Sequence, residues 1–170
     1  MSANSRILAA RALSQVRRAL YAVRRARWRI ERSRVADQDL IRYLRMLELV
    51  LERIAIRLET IATTGILSPS IVALPLALIR EASKLVQIPE AEPIIGDIEI
   101  TLASLLEATV QEPPQALLTA ASSEAKRILR EIEEGLLAEG PVRSPSQADT
   151  PPAKTGGMES GPQSEGPLEE

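Results

Sequence analysis

The side chains with which this chain could do chemistry are guanidiniums, carboxylates and hydroxyls, because its 170 residues include no Cys and no His. That composition excludes a disulfide framework, a zinc finger and any Cys-His or Ser-His nucleophile pair. Carboxylates gather at Glu90, Glu92, Asp97 and Glu99, and again at Glu131, Glu133 and Glu134. Neither group accompanies a Gly-rich phosphate loop or a Glu-x-x-His pattern. They are therefore read as balancing a basic surface on the same or an adjacent subunit. The chain is expected not to be an enzyme and to use no metal or other cofactor.

The guanidiniums are concentrated. Residues 1 to 57 hold 14 Arg against five acids, a balance of +9, whereas residues 58 to 170 hold seven bases against 18 acids, a balance of -11, and together they give the net -2. Such asymmetry between two halves points to nucleic-acid or membrane surfaces, or to self-association. On a helix, Arg11, Arg18, Arg25, Arg29 and Arg32 fall within an arc of about 60°. Tyr21 and Trp28 lie beside that stripe, where they suit a membrane interface or cation-π pairing. Only Glu31 interrupts the run from Arg6 to Arg34, so the stripe lacks the i,i+4 acids of a passive solvated face.

Five arginines at about 1 kcal/mol each near an anionic bilayer would hold the chain there without deep insertion. Duplex nucleic acid would attract the same face through its phosphates. Base readout is not expected, since no recognition-helix pattern carries outward Asn or Gln, and one Trp and two Tyr are the only aromatics. Arg27 and Arg34 fall within the apolar arc instead. They are expected to snorkel, or to pair with acids of a second helix or of a neighbouring molecule.

The elements that must position these groups read as helices. No Gly or Pro occurs from Ser5 to about Val35, and Leu13, Val16, Leu20, Val23 and Ile30 recur opposite the Arg stripe, predicting a long first helix. Asp37 resembles an N-cap. Leu40, Leu44, Leu47, Leu51, Ile54, Leu58 and Ile61 then alternate four and three apart, the seam of a coiled-coil-like second helix that Gly65 ends. The short gap between the two predicts an antiparallel hairpin with arms of roughly 40 Å.

Thr60 to Ile79 carries no charge and has the length of a membrane span, but Gly65, Pro69 and Pro75 break it, so a helix, a bend and another helix are expected. Ser68-Pro69 opens a third helix to about Val86, bent or delayed by Pro75. Pro89 and Pro93 precede a fourth, Ile95 to Thr109, and Ser122 or Ser123 caps a fifth that runs to Glu139. No segment alternates as a strand would. The fold class is thus all-α over residues 1 to 139, followed by a Pro-, Gly-, Ser- and Glu-rich segment, 140 to 170, expected to be a disordered tail. The opening, with Arg among its apolar residues, does not suit a secretory signal, and an intracellular location is expected.

In this order the parts resemble the archaeal ESCRT-III family, the CdvB-type cell-division proteins. The strongest local likeness is the run Leu47 to Thr60, whose Ile56-Arg57-Leu58-Glu59-Thr60 is similar to an ILRLET run in that family. An apolar segment, a third helix and the Pro-Glu turn Ile88-Pro89-Glu90-Ala91-Glu92 follow, and Ser123 to Glu131 is also similar. The resemblance spans roughly residues 10 to 139. It implies a subunit that polymerises on membranes into filaments, with copies of itself and with paralogous subunits, and acts in cell division or membrane scission. Acidic lipid would be held by the basic first helix, and filament contacts would run along the hairpin from Leu40 to Ile61. An AAA-type ATPase would disassemble the polymer; the family's acidic Leu-x-x-Arg-Leu-x-x-Leu pattern is not reproduced around Leu129 to Leu137, and a proline-type contact in Pro141 to Pro152 is the alternative. The place implied is cytoplasmic, peripherally at the membrane. The charge split further suggests a closed form, basic hairpin against acidic second half, that separates on assembly.

Overall fold

The computed structural model describes residues 3–85 and 87–139. Among them there is no strand, and five helices form one unit: α1 (Ala3–Glu31), α2 (Gln38–Thr64), α3 (Pro69–Leu85), α4 (Glu92–Thr109) and α5 (Gln115–Glu139). The segment expected to be a tail, residues 140 to 170, lies outside the described residues.

The first helix ends at Glu31, four residues before the expected Val35. There the Ser33 hydroxyl donates to the carbonyls of Ile30 (2.7 Å) and Val35 (3.0 Å), fixing a turn that a count of helix breakers does not register. Asp37 caps α2 as expected, its carboxylate accepting from the Leu40 amide at 3.1 Å. At the other end Gly65 sits at φ 77°, and its amide donates to the Ile61 carbonyl at 2.9 Å. A Cβ here would add left-handed strain and come within 2.6 Å of an Arg6 nitrogen. Gly65→Ala is therefore expected to cost about 1 kcal/mol, lowering the thermal midpoint by roughly 3 °C in a circular-dichroism melt.

α1 and α2 are antiparallel, as their cross-pairs require: Arg17 meets Glu59, Arg24 meets Glu52 and Arg27 meets Glu48, one sequence rising as the other falls. α2 offers the expected large aliphatic seam, and Leu44, Leu47, Leu51, Ile54, Leu58 and Ile61 are all buried, with Leu40 partly so. α1 answers with small residues. Its buried face is Ser5, Ala9, Ala12, Val16, Ala19, Val23 and Ala26, again four and three apart, plus Leu13. Of the larger residues expected on this face, Leu20 and Ile30 are only partly buried. The reason is steric, since helix separation is set by the side chains between the axes, and alanines admit the bulkier row of α2.

α4 packs along the far flank of α1, while α3 contacts α2, α4 and α5, and α5 also reaches α2. Two boundaries correct the expectation. Pro93 lies inside the first turn of α4, where its missing N–H costs no bond. α5 begins at Gln115, seven residues before Ser122, with the Leu117 and Leu118 amides donating to the Pro114 carbonyl. Pro113-Pro114 thus starts this helix, and Ser122 and Ser123 lie within it. Ser122 instead donates its hydroxyl to Glu81 of α3 at 3.2 Å. Pro75 stays inside α3, and no helix among the described residues is long and apolar enough to cross a membrane.

Candidate anionic-surface interface

From Arg11 to Arg32, on α1 and just after it, the basic groups form two sets by their place around the helix. Arg17, Arg24 and Arg27 flank the small-residue face, so they lean over α2 and find carboxylates there. Arg24 donates to Glu52 at 2.8 Å and lies 3.5 Å from Glu48. Arg27 bonds Glu48 through Nε and, at 3.3 Å, through Nη2, and it also reaches Glu31 at 2.9 Å. Glu48 is buried. Burial opposes the charge of Arg27, yet the hydrogen bonds and charges of Glu48 and Glu31 outweigh it and hold its pKa above the usual arginine value. Arg27 therefore takes the acid-paired alternative, while Arg34 stays exposed in the turn after α1.

The second set is the stripe. Arg11, Arg18, Arg25, Arg29 and Arg32 are all exposed, as are Tyr21 (61%) and Trp28 (45%). Arg29 hydrogen-bonds Glu90, just before α4. Among the described residues the other four have no ion pair, and Arg25 instead stands 5.7 Å from the centre of the Tyr21 ring. The arc thus remains a row of guanidiniums with two amphipathic rings beside it, on the side of α1 turned away from its buried seam.

The bond from Arg29, with a smaller contribution from the residue's own backbone, holds the Glu90 carboxyl below the usual carboxylate range. A carboxyl lowered by folding stabilises the fold above its unfolded pKa, and that contribution is lost as pH falls through the lowered folded value. Glu90→Gln is therefore expected to weaken the protein slightly at pH 6, by less than about 1 kcal/mol for so exposed a pair, and the difference should shrink as pH falls below the usual carboxylate range. Urea midpoints of the two proteins over a descending pH series check this.

Of the carboxylates singled out in the second half, Glu90, Glu99 and Glu131 are ion-paired, whereas Glu92, Asp97, Glu133 and Glu134 form no ion pair with a described residue. Glu90 meets Arg29, Glu99 lies 3.8 Å from Arg80, and Glu124 and Glu131 both bond Arg127. Among the described residues no three carboxylates are grouped so as to hold a metal ion. The seam expected to mediate filament contacts lies mostly within the chain, six of its seven side chains being covered by other elements of the same fold.

Sequence reasoning missed two features. One is the part of Arg24 in the cluster with Glu48, where only Arg27 is expected to pair with a second-helix acid; its signal is the i,i+4 pair Glu48 and Glu52 on the edge of the α2 seam. The other is an open groove between α2, α3 and α5 of about 410 Å³, lined by Ile56, Ile66, Leu74 and Ile128 with Arg53 and Arg57 at its rim. Comparison with known proteins returned no matching family model, no matching curated protein and no matching solved structure.

Proposed function

We propose that this chain is a peripheral membrane subunit that binds anionic lipid through α1 and assembles into filaments that remodel membrane in cell division or scission, as its resemblance to archaeal ESCRT-III implies. The supporting observation is the exposed arc of Arg11, Arg18, Arg25 and Arg32, unpaired among the described residues, with Trp28 and Tyr21 exposed beside it. A face kept only for solubility has no need to gather one sign of charge. Amphipathic rings next to cations suit the boundary between headgroups and water.

On this reading the chain performs no reaction of its own. The work comes from polymerisation with like subunits and from an external AAA-type ATPase, at the cytoplasmic side of the membrane. Because the α2 seam is buried, chiefly against α1 with α3 and α5 also touching α2, an assembly contact along it requires that cover to be released, the opening step of a closed subunit.

Electron microscopy and sedimentation of the purified protein, with neutral vesicles, acidic vesicles or duplex DNA, test the proposal. Filaments or coated tubules with acidic vesicles alone support it. DNA retardation at physiological salt without vesicle binding selects a nucleic-acid-associated protein instead. Binding to neither leaves a helical scaffold for protein partners.

A further inference from the structure

Arg11, Ser14, Gln15 and Arg18 share one face of α1 and, with Asp97, Ile100 and Thr101 of α4, line an open groove of about 570 Å³. Its polar groups are poorly matched to one another. Arg11, Arg18 and Asp97 are each exposed and form no ion pair with a described residue. The amide oxygen of Gln15 is buried without a donor. The Thr101 hydroxyl gives its proton to the Asp97 backbone carbonyl at 2.9 Å, which leaves its oxygen to accept. Ile100, 67% exposed, is among the lining residues.

We infer that this groove binds a phosphorylated polyol, met at the membrane as a phosphoinositol-type lipid headgroup. The step rests on the membrane-facing reading of α1 and deepens it by naming the headgroup class. Two guanidiniums two turns apart, about 10 Å along the axis, can converge on a phosphate placed between them. A bare anion would meet the Asp97 carboxylate, and an amine headgroup would meet the two arginines. A ligand with hydroxyls beside its phosphate suits every group present. The phosphate takes Arg11 and Arg18, and the hydroxyls donate to Asp97, to Thr101 and to the Gln15 oxygen once its amide turns outward. Ile100 then offers an apolar contact to the start of the acyl chains.

The test compares phosphatidylcholine vesicles carrying equal fractions of phosphatidylinositol or phosphatidylmethanol, which have the same charge and differ in the hydroxyls. We expect at least about fivefold tighter binding to the inositol lipid, the size of one or two hydrogen bonds. In Asp97→Asn that preference should fall below about twofold. Electrostatics alone gives the opposite sign, since removing an acid from a basic groove strengthens binding to both lipids. Equal affinity of the wild type for both lipids, or stronger binding by Asp97→Asn with the preference intact, overturns the inference.

Amide NMR shifts separate the headgroup from free phosphate. Glycerophosphoinositol should move the signals of residues 11–18 and 97–101, and inorganic phosphate at the same concentration should not. Equal shifts from both, or shifts from neither, overturn the site. Shifts from glycerophosphoinositol without any vesicle binding would keep the site and sink the membrane reading.

Discussion

Replacing Arg27 by Ala is expected to destabilise the helical unit by about 3 kcal/mol, far more than removal of any other single cation on α1. Glu48 is nearly enclosed, its side chain 9% exposed, and both its oxygens face arginines. A carboxylate taken from water at that depth carries a desolvation cost of several kcal/mol, which only close cations offset. Without Arg27 there remains Arg24, 3.5 Å away and itself shared with Glu52. By contrast Arg17 meets Glu59 at 3.6 Å with both side chains mostly exposed, so Arg17→Ala should change stability by less than about 0.5 kcal/mol. The double variant Arg27→Met with Glu48→Leu should recover most of the loss, because an apolar pair of similar volume fills the site with no stranded charge. Urea unfolding followed by circular dichroism measures all three. An Arg27→Ala midpoint equal to wild type would show that Glu48 finds water or another cation, and the cluster would not be a fixed part of the α1–α2 interface.

That cluster also marks where the sequence is hard to read. The period of α2 is legible because large aliphatic residues four and three apart stand out, and each end carries local chemistry, Asp37 accepting from Leu40 and Gly65 in a left-handed turn. The buried row of α1 has the same period, but it is written in Ala and Val. Weighting by side-chain size favours Leu20 and Ile30, which lie at its edges. Only the partner helix makes small residues the better choice.

The early start of α5 has a similar cause. Two prolines read as a break, yet the next residues form a helix held by Leu117, Leu118 and Ala121 packing into the core, a tertiary effect that no cap signals. For the interface, the five-arginine arc can be drawn from the sequence alone. Which of those arginines already has an acid cannot, because Glu90 lies 61 positions from Arg29 and is brought beside it only when α4 packs on α1.

This distinction decides how the basic face should be tested. Arg11, Arg18, Arg25 and Arg32 are the cations to reverse, and Arg29 is to be left, since its change would also strand Glu90. Neutralising four such residues removes about 4 kcal/mol of attraction to an anionic bilayer, close to a thousandfold in affinity, and reversal to Glu adds repulsion. The quadruple Glu variant should therefore lose measurable sedimentation with acidic vesicles at physiological salt. Its fold should survive, because none of the four is buried or ion-paired with a described residue, and a melting curve near that of wild type would show this.

The control must carry the same change in net charge on other faces. Arg53, Arg57, Lys126 and Arg130 suit it, being exposed on α2 and α5 with no ion pair among the described residues. If membrane attraction came from total charge, both variants would lose binding alike, and the assignment to α1 would fall. If α1 is the contacting face, the control retains most of its binding, since exposed charges more than a Debye length, about 8 Å, from the lipid are largely screened. Raising salt in the wild type should then weaken binding steeply and in the control comparably, while the α1 variant starts from nothing.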